Sequence, residues 1–260
     1  MTIKNYNYFK PKKFILKMER KLVKTIVIDG EDYQLNIFVE KRNSVRASFT
    51  NHGINIRIPR HLSIEEQNKA GKEMLDWAVF KIKSEPEKYK ERIYNHGNEL
   101  FVFGKRYLIN IDYRLSSKNF TKVSGENIFF SMANHHDEDS RQGYMRRQVR
   151  KIIAKRHLED IISFVHEINN SYFNKSLGKI SIKHTTSRWG QCHTNTGDID
   201  LSTRILLAPI PVIRYVIIHE LAHLVHANHS KRFWSLVESV DPNYKNRVKW
   251  LNKFGHTLNL

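Results

Sequence analysis

Between Val212 and Val225 the sequence VIRYVIIHELAHLV places apolar side chains around almost the whole circumference of a helix. A helix of that kind has no solvent face and must run through the core, with the rest of the chain arranged round it. Yet it carries His219, Glu220 and His223. Residues four apart lie one turn above the other, so His219 and His223 can aim two imidazoles at one point while Glu220 stands beside them. Burying two imidazoles and a carboxylate is costly unless hydrogen bonds or a metal ion compensate. Core histidines satisfied by carbonyls are the plainer alternative, and a third suitably spaced histidine weighs against it.

A catalytic zinc site takes three protein ligands and keeps a fourth position open. His229 is the chosen third ligand: Ala227-Asn228 is expected to end the helix, with Asn in the left-handed conformation, and the turn swings His229 back. Ser230 then reads as the N-cap of a following helix carrying Phe233, Trp234, Leu236 and Val237. His226, on the same helix face as His219 but receding from it, is a rival. Glu238 is a more distant one. Zinc suits neutral imidazoles in a tetrahedral array, although nickel, cobalt or manganese can occupy such sites. Glu220 is the expected general base for an activated water attacking a carbonyl.

Composition narrows the function classes. The 260 residues hold 44 Lys plus Arg against 26 Asp plus Glu, a net charge of +18 that attracts polyanions. One basic run occupies residues 1–24, where only Glu19 is acidic, and a second joins Arg141, Arg146, Arg147, Arg150, Lys151, Lys155 and Arg156. Arg146, Arg147 and Arg150 are therefore candidates for a nucleic-acid contact, with a merely solvated face as the alternative. The single cysteine, Cys192, excludes an intrachain disulfide. No apolar run reaches the roughly 18 residues of a membrane-spanning helix, so no membrane partner is expected. The start MTIKNYNYFKPKK lacks the apolar run of a signal peptide, and a cytoplasmic location is expected.

Periodicity predicts an α+β fold. Thr25 to Asp29 and Tyr33 to Val39 alternate around Gly30, and Val45 to Phe49 and Ile54 to Ile58 around Asn51-His52-Gly53, which predicts a small antiparallel sheet. Ser63 and Glu66 form a capping box for a helix presenting Ala70, Met74, Trp77, Ala78 and Ile82 toward Pro86. Leu100 to Ile111 reads as a hairpin turning at Gly104-Lys105, and Ile128 to Met132 as a further strand. Asn134 to Asp139 is expected as a loop. Arg141 to Tyr172 predicts one long amphipathic helix with the basic cluster outside. Strands follow at Lys179 to His184 and Ile199 to Leu201, and Pro209 or Pro211 opens the histidine helix. No internal repeat is evident. The expected organisation is a basic N-terminal segment over 1–24, a strand-rich region with a crossing helix over 25–139, and a helical region with a small sheet over 140–260.

Ser187-Arg188-Trp189-Gly190-Gln191-Cys192, then Gly197-Asp198-Ile199-Asp200-Leu201, then Tyr215 to Leu224 with Asn228-His229-Ser230 and Phe233-Trp234 complete a pattern. It resembles the YgjP-like metallopeptidase family, distantly similar to SprT-like and other H-E-x-x-H zinc proteases, along most of the chain. The resemblance implies a zincin-like region over 140–260, zinc held by His219, His223 and His229, Glu220 as the catalytic residue, and a peptide or protein substrate. The family usually has Ser-Cys-Ser where this chain has Gln191-Cys192-His193. Arg188 is a candidate for orienting substrate or stabilising developing negative charge, with a structural pairing to a carbonyl as its alternative. Trp189 reads as core, and Cys192 as a lesser candidate ligand. By similarity to such proteases, Asp198 to Ser202 is expected as the sheet edge that receives an extended peptide. A zinc-dependent metallopeptidase is thus the leading reading. A metal-dependent nucleotide phosphohydrolase and a nucleic-acid-binding module with a structural zinc are the alternatives; the absence of a Gly-rich phosphate loop counts against the first and the presence of Glu220 against the second.

Overall fold

The computed structural model describes residues 21–50, 53–84 and 92–260. They form an α+β structure with six α-helices and three mixed sheets. The chain divides into two compact units, Met1–Lys90 and Glu91–Leu260. None of the described helices is long and apolar enough to cross a membrane. Of the basic N-terminal segment, residues 1–20 lie outside the described residues, and the remainder opens the first strand.

The first unit contains β1 (Lys21–Ile28), β2 (Glu31–Glu40), β3 (Arg46–Thr50), β4 (Gly53–Pro59) and α1 (Ile64–Ser84). Asp29 and Gly30 both have positive φ, the two-residue turn that matches the twist of a hairpin. The sheet is not antiparallel throughout as expected: its order is β1-β2-β4-β3, and β2 and β4 pair in parallel. Pairing the two most apolar strands centrally buries Leu35, Ile37, Ile54, Ile56 and Ile58 together. Gly53 permits it, because a Cβ there would collide with the Gln34 carbonyl. The capping box forms, Ser63 N–H donating to Glu66 Oε2 at 2.8 Å and Glu66 N–H to Ser63 Oγ at 3.3 Å. Helix α1 lays Leu75, Ala78 and Ile82 on the core, while Trp77 stays 42% exposed beside Phe49. The expected turn residues Asn51 and His52, and Pro86, lie outside the described residues.

The second unit opens with β5 (Glu99–Val102), β6 (Lys105–Arg114), β7 (Phe120–Ser124) and β8 (Asn127–Ala133), ordered β5-β6-β8-β7. Its pairing repeats that of the first unit: an antiparallel hairpin, a parallel central pair, an antiparallel outer strand, then a helix. Both hairpins turn through two residues of positive φ, here Phe103 and Gly104 rather than the expected Gly104-Lys105, because Lys105 already pairs with Val102. The repeat is one of topology and leaves no periodic signature in the sequence. This sheet shares a single apolar core with the helices that follow it, from Tyr94 and Leu100 through Val149 to Leu251. The division therefore falls at residue 90 rather than near residue 140.

The expected long helix is two helices, α2 (Glu138–Arg156) and α3 (Leu158–Tyr172), separated by His157. The His157 side chain is fully buried and its Nε2 lies 3.0 Å from the Tyr107 hydroxyl. Nor do all the arginines lie on the outer face, as Arg147 and Arg156 do. Arg146 is 6% exposed and donates to the Arg92 carbonyl at 3.3 Å, and Arg150 donates to the Leu260 carbonyl at 2.6 Å. Of the three proposed contacts only Arg147 is exposed. Burial, reinforced by the charge of Lys105, holds the His157 pKa below its ordinary 6.5. The unfolded chain then binds a proton that the folded one refuses, so stability falls as pH drops below that value. Urea midpoints between pH 8 and pH 5 should show this decline, and His157→Gln should flatten it; equal slopes in the two proteins would contradict the assignment.

Strands β9 (Ile180–Lys183), β10 (Gly190–His193) and β11 (Asp198–Ser202) form the third sheet, ordered β10-β11-β9. A 3₁₀ turn at Thr203–Leu207 leads to α4 (Ile210–Ala222), α5 (Lys231–Val240) and α6 (Tyr244–Phe254).

Candidate metal centre

Helix α4 starts after Pro209, with Pro211 in its first turn, where the missing proline N–H costs nothing. Ile213, Ile217, Ile218, Leu221 and Ala222 are fully buried, as an all-round apolar helix requires. The helix ends at Ala222, earlier than the sequence predicts. From Glu220 onward the bonds tighten, with Leu224 N–H reaching the Leu221 carbonyl at 3.0 Å and Val225 N–H the Ala222 carbonyl at 3.0 Å. Asn228 does not adopt the expected left-handed conformation; the described non-glycine residues with positive φ are Asp29, Phe103 and Asn174. The chain nevertheless doubles back. Ser230 caps α5 as predicted, its hydroxyl accepting from Phe233 N–H at 3.4 Å.

The reversal gathers His219, His223 and His229, each with one ligand nitrogen within 4.8 Å of the others. His219 Nε2 and His229 Nε2 face each other at 3.1 Å. A single proton can join these two nitrogens, but whichever tautomer does so, the opposite nitrogen of His219, Nδ1, is left buried without a hydrogen-bond partner. A tetrahedral ion with bonds of about 2.0–2.1 Å sets its ligand nitrogens about 3.3 Å apart, so the donor set fits one. His226 does not join the cluster. Its carbonyl instead lies 3.3 Å from His223 Nδ1, which fixes that ring with Nε2 free. Glu238 is engaged elsewhere, paired with Lys245 at 2.9 Å.

Burial, followed by the charges of His223 and His229, lowers the His219 pKa to about 4, and burial followed by His229 lowers that of His223. Neutral imidazole is the ligating form. Phe233, fully buried, forms a floor with its ring 4.7–5.0 Å from all three imidazoles. Trp234 stacks on His229 at 5.6 Å, Tyr244 on Trp234 at 5.5 Å, and Tyr215 on Tyr244 at 6.4 Å. The sequence reading places Phe233 and Trp234 on the following helix without linking them to the three imidazoles. Two aromatics four and five residues after His229, at the start of a capped helix, are the signal that points to the centre.

Glu220 is 6% exposed, and burial pushes its pKa up to about 7 against the opposing effects of the Cys192 backbone and the Arg188 charge. Strand β10 closes over it so tightly that a Cβ at Gly190 would lie 2.7 Å from Glu220 Cγ and Oε1. This strand, not Asp198 to Ser202, is the edge beside the helix, because β11 is paired on both sides, with β10 antiparallel and β9 parallel. Ser202 N–H donates to the Trp189 carbonyl at 2.8 Å. The antiparallel alternation then turns the N–H and C=O groups of Gly190 and Cys192 away from β11, and the Cys192 N–H donates to the Glu220 carboxyl.

Cys192 stands outside the histidine cluster, and burial, then Glu220, pushes its thiol up to about 11. Trp189 packs against the core under the Arg204 guanidinium, which lies 4.6 Å from its ring and donates to the carbonyls of Thr186, Gly255 and Leu258. Arg188 is exposed and donates to Gln191 Oε1 at 2.5 Å, so its partner is a side-chain amide rather than a buried carbonyl.

A family model described as YgjP-like, metallopeptidase domain matches residues 41–254. Among solved structures, the metallopeptidase zymogen of Pyrococcus abyssi abylysin is 24% identical with a TM-score of 0.33, over 36% of this chain and 93% of its own. The zymogen of Methanocaldococcus jannaschii jannalysin is 23% identical with a TM-score of 0.32, over 36% of this chain and 95% of its own. No curated protein matches the chain.

Proposed function

Because the chain belongs to the YgjP-like metallopeptidase family, a family of metal-dependent peptidases, we propose that it is a zinc-dependent peptidase centred on His219, His223, His229 and Glu220. The observation that carries this reading is the trio of imidazole nitrogens within 4.8 Å, next to a carboxyl held near neutrality. Bound there, a zinc ion supplies Lewis acidity, polarising a peptide carbonyl and making water easier to deprotonate.

The chain's own groups do the rest. The Gly190 N–H and the C=O groups of Gly190 and Cys192, on the open edge, hold a substrate main chain extended along β10, while the Cys192 N–H donates to Glu220. Glu220, with a pKa of about 7, accepts a proton from the attacking water and delivers it to the departing amine. Arg188 stands at the mouth of the site, close enough to Glu220 to favour its charged form. A structural zinc has no need of a buried carboxyl beside its ligands, and an open sheet edge suits a peptide main chain better than a nucleotide. The nucleic-acid reading also loses Arg146 and Arg150, which bind backbone carbonyls of this chain.

The test is cleavage of a dye-quenched unfolded protein by the purified chain. Chelation should abolish it, and one equivalent of zinc should restore it. Zinc-loaded protein that cleaves no peptide bond, or cleavage indifferent to chelation, would refute the assignment.

A further inference from the structure

Strand β10 has one open edge and two unlike faces. Gly190 and Cys192 face Glu220, so alternation puts Gln191 and His193 on the opposite face. Their neighbours there are Asp200, directly across from Gln191, and Ser181 beyond it. Asp200 is fully engaged: one oxygen takes Lys183 Nζ at 2.6 Å and His193 Nε2 at 3.2 Å, and the other accepts from the Ser181 hydroxyl. Its charge is spent within the sheet.

Arg188 is different. Its guanidinium is exposed, a neutral amide fixes it, and no carboxylate pairs with it among the described residues. Its bond to Gln191 Oε1 sets it beside β10, the strand at the edge of the sheet. Side chains of a strand added to β10 alternate too, and those on the Gln191 face come within about 5 Å, Cβ to Cβ, of their β10 neighbours. The guanidinium fork matches a carboxylate in a planar, two-bond geometry that ammonium cannot reproduce. A net charge of +18 further concentrates acidic peptides around the chain.

Building on the peptidase reading, we propose that the enzyme selects peptides carrying Asp or Glu at the position whose side chain lies beside Gln191. Arg188 reads that carboxylate, and Gln191 is a positioning residue that aims the guanidinium.

The experiment digests a degenerate peptide library with the zinc-loaded full-length chain and reads every cleavage site by mass spectrometry. One position near the scissile bond should favour Asp and Glu over Asn and Gln by on the order of tenfold, declining as salt is raised. Arg188→Gln should erase that ratio, Arg188→Lys should retain part of it, and Gln191→Ala should reduce it while preferences at other positions persist. If Arg188 instead stabilises charge developing at the scissile carbonyl, its loss slows all peptides alike and leaves the ratio intact, which overturns the proposal. Cleavage without acidic preference overturns it too and leaves the peptidase reading standing; no cleavage of any peptide removes both.

Discussion

Glu220→Gln is expected to slow peptide cleavage by about 10²–10⁴-fold while the bound metal stays at the wild-type level. The amide keeps the volume of the side chain and loses its capacity to take and return a proton. Glu220 is not one of the three clustered groups, so metal content has no reason to follow it. Gly190→Ala should imitate the defect from the opposite side. Its new Cβ would fall 2.7 Å from Glu220 Cγ and Oε1, and the carboxylate is the end that can move. Cleavage rates, elemental analysis and thermal midpoints on the two variants separate the cases. An active Glu220→Gln protein, or one that has lost its metal, would displace Glu220 from the role of proton carrier.

The parts of this molecule legible in the sequence are those set by local chemistry. The capping box at Ser63 and Glu66, the turn at Gly30 and the buried histidine helix each depend on residues within a few positions of one another. What escaped depends on distant partners. A parallel β2–β4 or β6–β8 pair is a decision about which strands share the core, and alternation along either strand is the same whichever way it pairs. His157 lies in an unbroken amphipathic pattern, and the break there comes with a buried contact to Tyr107, some fifty residues earlier. Strand β10 is four residues long with a Gly at its start, too short and too polar for alternation to register, though it covers Glu220. The basic stretch misled for a related reason: charge read along one helix says nothing of the carbonyls of Arg92 and Leu260 that come to meet it.

The proposed third ligand, His229, whose ring lies with those of His219 and His223, yields the second large effect. Elemental mass spectrometry should find close to one zinc per wild-type chain and next to none in His219→Ala or His223→Ala. His229→Ala should lose the metal as well, although His229 is exposed and follows the helix rather than belonging to it. Its place is fixed by the ring of Trp234 on one side and by His219 Nε2 at 3.1 Å on the other. His226→Ala should keep the metal, because the contact His226 makes with His223 runs through its backbone carbonyl, which alanine retains. Second contacts of that kind typically change metal affinity by about 10- to 100-fold when they are lost, so a substitution that spares the carbonyl should stay well inside that range. Metal retained by His229→Ala but lost with His226→Ala would mean that the chain beyond Ala222 rewinds into helix when the ion binds, bringing the His226 ring over His219 and releasing Trp234 from its stack.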